Sequence, residues 1–245
     1  MLMTQHPTRD AATLAVCHGQ RPQPYRFIHK ALRLKMTGVL SQLAAADPHD
    51  DTERRDALAA LDELLAVCEA HLSHENAHFH RPLAAAGSRA VLPFEDDHES
   101  HVATIAALRA AARAVEDTPD VRAANLYALT LQFSRFVGEN FEHMADEETL
   151  LTHALWSAFD DATILGFEHG LTSTFTPEES AYYLRWMARA LSVPELADLL
   201  RGAQAGVPEP VFGMLCGIVR GEVRPERWTR IAGTLGLAQE TPPAP

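Results

Sequence analysis

Apolar residues recur at intervals of three and four positions through the first two thirds of the chain. This spacing puts them on one face of an α-helix. It predicts four long helical segments, at about residues 25–45, 52–83, 96–115 and 121–156. Because β-branched runs are absent and short polar breaks separate the segments, we predict an all-α fold, an antiparallel up-down four-helix bundle.

The fourth segment keeps one heptad-like register along its length and is interpreted as a single helix. The positions on this register are Leu126, Leu129, Phe133, Phe136, Asn140, His143, Glu147, Leu150 and Ala154. A helix faces the core with such a stripe. The register therefore predicts that the imidazole and the carboxylate on it point inward with the apolar residues.

The last third of the chain differs, because shorter segments begin at prolines such as Pro177, Pro194 and Pro208. Proline is favoured in the first turn of a helix. We divide the chain into a polar tail (1–24), the bundle (25–157) and a helical C-terminal extension (158–245). The extension is expected to cover one side of the bundle or, in a homodimer, the dimer surface.

Charge and composition limit the classes of partner that we expect for the protein. The formal net charge of −12 argues against nucleic acid and against anionic membrane surfaces. Three widely spaced cysteines imply no disulfide framework. The chain shows no signal-peptide core, no membrane-length apolar run, no phosphate loop and no nucleophile elbow. The missing signal peptide and membrane segment predict a cytoplasmic protein.

The chain has thirteen histidines, and eight of them fall in three short stretches with carboxylates nearby. His143 and Glu147 are the firmest pair, because both belong to the inward register. A buried imidazole and carboxylate without partners cost several kcal/mol, on the order of 2–7 for a polar group alone. A metal ion is the partner that we predict for them, with a hydrogen-bonded pair as the alternative.

The second segment offers more candidates than one site needs. We favour His74, Glu75 and His78, with Glu75 bridging two metals, because Glu-x-x-His is the spacing of di-iron carboxylate bundles. His71, four residues before Glu75, is the reserve candidate. At 100° per residue His80 points about 200° away from His78, so it is predicted at the surface, or at most as a residue that supports a ligand.

The other segments add single histidines. His98 is predicted as a ligand on the third segment, while His101 is left open between a ligand and a residue that supports one. His29 begins the apolar stripe of the first segment and is predicted as a ligand. The remaining histidines are assigned to surfaces or loops: His6, His18, His49, His153 and His169.

Two thirteen-residue pieces of the chain match each other. Residues 71–83 align without gaps with residues 143–155, and His, Glu and Leu coincide at three places. Each piece sets a histidine four residues before a glutamate. Two helices that present such pairs inward favour two metals over one.

These elements, in this order, resemble the hemerythrin-like (HHE cation-binding) domain over residues 25–156. The motifs are His29, His74-Glu75-x-x-His78, His98 and His143-x-x-x-Glu147. The resemblance implies a non-haem di-iron centre with five imidazoles and two bridging carboxylates, in which manganese or zinc could substitute.

The chain departs from the oxygen carriers of that family in its spacings. Their third-helix histidines are four apart, whereas His98 and His101 are three apart. Their second-helix pair would correspond to His71 and Glu75, and their last ligand is an aspartate where this chain has Glu148. Glu147, four residues after His143, fits the iron-sensing F-box branch and many bacterial members better, so the resemblance does not by itself imply reversible oxygen carriage.

Three functions follow as hypotheses. The first is a protein that senses, stores or scavenges oxygen, nitric oxide, peroxide or iron at a di-iron site. The second is a di-metal oxidase or peroxidase, and the third is an interaction module with a structural metal. The residues show no acid–base machinery beyond the ligands, so the first hypothesis leads.

Overall fold

The computed structural model describes residues 21–237, and these are helical almost throughout, with no strand. The α-helices are α1 Arg26–Ala45, α2 Asp51–Glu75, α3 Arg81–Ala85, α4 Leu92–Asp117, α5 Arg122–Asp146, α6 Thr152–Ala158, α7 Asp161–Thr172, α8 Pro177–Ala190, α9 Val193–Gly206, α10 Glu209–Glu222 and α11 Pro225–Leu235. A short 3₁₀ turn, Pro119–Val121, precedes α5. The all-helical prediction is confirmed.

Helix starts follow the local sequence. The Asp50 carboxylate accepts hydrogen bonds from the backbone N–H groups of Thr52 and Glu53, so Asp50 is the cap of α2. Thr176 and Glu179 form a reciprocal capping box at the start of α8. Each arrangement satisfies N–H groups that have no partner within their own helix.

The chain divides into two units by its internal contacts. Among the described residues the first comprises 21–26 and 35–173, and the second comprises 27–34 and 174–237. The contact boundary after Ser173 leaves α7 in the first unit, whereas the domain division predicted from the sequence falls after residue 157. Two of the histidines assigned to surfaces, His6 and His18, lie outside the described residues.

In the first unit α4 packs against α5 and against α2. The buried Arg54 links α2 to α4, because its guanidinium donates to Glu116 of α4 at 2.6 Å. In the second unit an apolar core joins α8, α9, α10 and α11. None of the helices described here combines the length and the apolar character that crossing a bilayer requires.

Two five-residue π-helical turns interrupt the long helices of the first unit. They are Asn76–His80, after α2, and Glu147–Leu151, after α5. In each turn a backbone N–H reaches a carbonyl five residues back, from Arg81 to Asn76 and from Thr152 to Glu147. A π-turn inserts one residue into an α-helix and so rotates everything after it.

The interpretation of the fourth segment as one α-helix with one register is therefore wrong beyond Glu147. Leu150, which that register placed in the core, is 39% exposed. Its neighbour Leu151 is fully buried instead. A shift of one position is what a single inserted residue produces.

Candidate metal centre

Four buried residues of the first unit bring their ligand atoms together. Glu75, His98, His143 and Glu147 each offer one such atom, and these atoms lie within 4.8 Å of one another. Their exposed fractions are between 0% and 5%. Glu75 ends α2, His98 lies near the start of α4, and His143 and Glu147 lie where α5 meets the second π-turn.

The two histidines face each other across the interface of α4 and α5. Their Nε2 atoms are 2.9 Å apart. The Nδ1 of His98 lies 2.9 Å from Oδ1 of Asn76, and the Nδ1 of His143 lies 3.2 Å from Oδ2 of Asp97. Because those oxygens accept hydrogen bonds, each Nδ1 carries the proton, and both Nε2 atoms present lone pairs to the same point. A cation or a proton has to lie between them.

The carboxylate of Glu147 lies beside the same point. Its Oε1 is 3.3 Å from Nε2 of His143 and 3.5 Å from Nε2 of His98. Burial opposes a positive charge on His143, but the attraction of Glu147 and the hydrogen bonds with Asp97 and Glu147 outweigh it and raise the pKa of His143 to about 10. Without a metal, a proton on His143 supplies the positive charge.

The pKa of Glu147 shifts in the opposite direction. Burial opposes its negative charge, yet the neighbouring His143, followed by His80 and His98, holds the pKa of Glu147 well below its ordinary value. The carboxylate is therefore ionised and faces imidazoles. An anionic oxygen among imidazole nitrogens in a buried site is the environment of a divalent cation.

Glu75 reaches in two directions. Its Oε1 is 3.1 Å from Nε2 of His71, and its Oε2 is 3.7 Å from Nε2 of His98. One carboxylate with its two oxygens next to two different imidazoles has the arrangement of a bridging ligand. The bridging role that the sequence assigns to Glu75 stays a prediction.

The distances between these donor atoms are those expected when they bind one metal ion. Bonds of about 2.1 Å to one ion leave neighbouring donor atoms about 3.0 Å apart in an octahedron and about 3.4 Å apart in a tetrahedron. The contacts among the Nε2 atoms of His98 and His143 and the oxygen of Glu147 run from 2.9 to 3.5 Å. The residues present therefore fit a metal ion.

Other predicted ligands are placed differently. His74 and His78 are half-buried and are not among the residues brought together at the centre. His78 faces α7, where a Cβ on Gly170 would lie 3.7 Å from its Nδ1. His29 is fully buried in α1. The ligand roles of all three residues stay predictions from the sequence.

The surface position predicted for His80 is wrong, because His80 is fully buried. The prediction measured the direction of His80 from an inward-facing His78, but His78 faces α7. The π-turn Asn76–His80 turns His80 towards the face of Glu75 instead. His101 is also buried, with its ring edge-on to His143 at 5.0 Å between centroids. Burial, then the charges of His143 and His98, lowers the pKa of His101 to about 4, which leaves it neutral.

Aromatic and aliphatic side chains border the centre. The ring of Phe94 lies 5.7 Å from that of His143, and it belongs to an apolar cluster with Phe79, Leu151 and Leu155. Tyr25 is in the same cluster, 5.3 Å from Phe79. Burial, followed by Glu147 and Glu75, raises the pKa of Tyr25 well above its ordinary value, so its hydroxyl keeps its proton.

The buried carboxylate–imidazole cluster of this helical unit is a group of residues that could hold a metal ion. The family model for the hemerythrin HHE cation-binding domain matches residues 25–155. The match covers more than half of the chain, which therefore belongs to this family. No curated protein and no solved structure matches the chain.

Proposed function

We propose that this protein binds two iron ions in a non-haem centre and uses them to sense, store or scavenge a small molecule such as oxygen, nitric oxide or peroxide, or iron itself. The centre lies in what we propose to be an antiparallel up-down four-helix bundle. The packing of α4 against both α5 and α2 supports that arrangement. Membership of a cation-binding family supports the binding of metal.

One observation carries the proposal. The Nε2 atoms of His98 and His143 stand 2.9 Å apart while both Nδ1 atoms face acceptor oxygens. Two lone pairs at that distance repel each other unless a positive centre lies between them. The buried, ionised Glu147 beside them supplies negative charge for such a centre.

The contacts of Glu75 support two ions, because its two oxygens lie next to different histidines. The first ion would be held by Glu75, His98, His143 and Glu147. The second would share Glu75 and take His71, whose Nε2 is 3.1 Å from Oε1 of Glu75. We add His29 to the second ion from the sequence pattern.

Donor chemistry favours iron. Imidazole with carboxylate suits iron or manganese, and zinc can bind the same donors. The buried thiol Cys68 is not among the clustered ligands. When bound, iron supplies one-electron chemistry and an open position for a small ligand. The apolar surroundings around Phe94 exclude water and favour a small uncharged molecule.

Metal analysis tests the proposal. Protein freed of metal and reloaded with Fe²⁺ under anaerobic conditions should hold about two irons per chain, on the model of di-iron bundles. Glu147→Ala should lose at least about half of that iron, because Glu147 contacts both central histidines. His169→Ala, at an exposed position of α7, should retain it. The absence of bound iron, manganese, zinc and copper from the wild type under saturating conditions would refute the proposal.

A further inference from the structure

We propose that His80 is an additional ligand of the metal centre, presented to it by the π-turn Asn76–His80. The inference rests on the proposed function, because it adds a donor to that same centre. Neither the sequence pattern nor the four-residue cluster includes His80. Its assignment comes from its position in the structure alone.

His80 lies against Glu147, the carboxylate that His98 and His143 also contact. Its Nε2 is 3.4 Å from Oε1 of Glu147, the oxygen that His98 and His143 also approach. Its ring stacks on that of His98, with centroids 4.8 Å apart and planes 24° from parallel. Three imidazoles thus converge on one carboxylate oxygen.

The ring of His80 needs a partner that the protein does not supply. It is fully buried, and neither ring nitrogen makes a hydrogen bond within residues 21–237. The 3.4 Å contact with Glu147 is longer than an ordinary N–H···O bond of about 2.7 to 3.2 Å. Leaving the polar atoms of a buried ring unsatisfied is unfavourable. A metal ion beside Glu147 would take the lone pair of Nε2.

The backbone explains how His80 reaches the centre. In an α-helix, residues five apart are separated by about 500°, so Glu75 and His80 would point to different faces. The π-turn hydrogen bond from Arg81 to Asn76 brings positions five apart towards the same face. Pro82 contributes, because it lacks the N–H that would continue an α-helical pattern through this turn.

The second π-turn carries Glu147, the residue that His80 contacts. Glu147 begins that turn, and the hydroxyl of Thr152 donates to the Glu147 carbonyl at 2.9 Å. The turns follow the two matching His-x-x-x-Glu pairs, 71–75 and 143–147. Each repeat therefore departs from α-helical geometry at the centre, and together they set His80 against Glu147.

The test compares His80→Ala and His80→Gln with the wild type and with His169→Ala, all of them freed of metal. Each is titrated with Co²⁺, whose visible absorption reports its ligands, and iron content is measured after Fe²⁺ loading. We expect Co²⁺ affinity at least about tenfold weaker in both His80 variants, with a changed visible spectrum, and no change in His169→Ala. Circular dichroism confirms the fold of each protein.

Rescue keeps the test decisive if either variant folds poorly. In His80→Gly, added imidazole should restore the affinity and the spectrum, because the free ring can occupy the vacated volume. The inference fails if folded His80 variants bind Co²⁺ and Fe²⁺ as the wild type does, or if imidazole leaves His80→Gly unchanged. Failure of the wild type itself to bind metal would instead remove the proposed function.

Discussion

The carboxylate of Asp97 lies 3.2 Å from Nδ1 of His143 and holds that ring with its Nε2 turned towards the metal centre. Asp97 is about one-third exposed, so it orients the imidazole from the edge of the site. Carboxylate–histidine–metal arrangements of this type fix both the tautomer and the direction of the ring. Asp97 is thus a positioning residue.

We predict that Asp97→Ala weakens metal affinity by about 10- to 100-fold without abolishing binding, because the ligands themselves remain. Competition titrations with a chromophoric chelator measure the change. Asp96→Ala is the matched control, since Asp96 is the exposed neighbour on the same turn. Equal affinities for Asp97→Ala and Asp96→Ala would contradict the positioning role.

The histidines of α2 and of the π-turn after it distinguish the ligands that the structure favours from those that the sequence pattern predicts. His71 contacts Glu75 at 3.1 Å, whereas His74 and His78 are half-buried and lie outside the cluster. We therefore expect His71→Ala to lose about one of two bound irons. The double variant His74→Ala/His78→Ala should keep both. Iron content per folded chain measures this, and loss confined to the double variant would restore the ligand set predicted from the sequence.

The sequence predicts the helices well because their apolar stripes have an unambiguous period. It also places His143 and Glu147 on the core face, and the structure buries both. These two residues lie four apart, within one α-helical turn and before the second π-turn alters the rotation. The family resemblance is likewise confirmed.

The prediction fails where the helix stops being α-helical. His80 and Leu150 are both misplaced, one predicted outside and found buried, the other predicted inside and found 39% exposed. Both belong to π-turns, whose extra residue leaves no clear signature in an apolar pattern. Pro82 is the one local signal near the first turn, since its missing N–H marks a break in the hydrogen bonds.

Metal removal should lower stability. A ligand that binds only the folded state stabilises it by RT ln(1 + [L]/Kd), about 2.7 kcal/mol at one hundred times Kd. Without metal, the ionised Glu147 depends on the protonated His143 for compensation. We expect chelation to lower the melting temperature of the wild type by several degrees, as about 2–3 kcal/mol does for a domain of this size.

Glu147→Ala provides the comparison for that experiment. Its melting temperature should rise less on addition of Fe²⁺ than that of the wild type, because the variant has lost a ligand of the centre. Scanning calorimetry of both proteins with and without metal measures the difference. An identical metal-dependent shift in the two proteins would show that the stabilising ion binds elsewhere.

A pair in the second unit predicts a dependence on pH that is independent of metal. The Nζ of Lys30 lies 2.6 Å from Oε2 of Glu195, and Ser192 donates to the same carboxylate from its N–H and its hydroxyl. Burial alone would raise the pKa of Glu195, but these three hydrogen bonds lower it from 4.5 to about 2.

The folded pKa of Glu195 is below its unfolded value, so its stabilising contribution is complete above about pH 4.5 and is lost as the pH falls towards 2. Because Lys30 is 35% exposed, solvent screens the pair, and we expect a loss of about 1–2 kcal/mol rather than the full converted shift. Hydrogen exchange of the first-turn amides of α9 at pH 6 and pH 3 measures it. Glu195→Gln should reduce the acid-induced loss of protection there, because its amide does not titrate; equal losses in wild type and variant would show that Lys30 and Ser192 do not stabilise the ionised carboxylate.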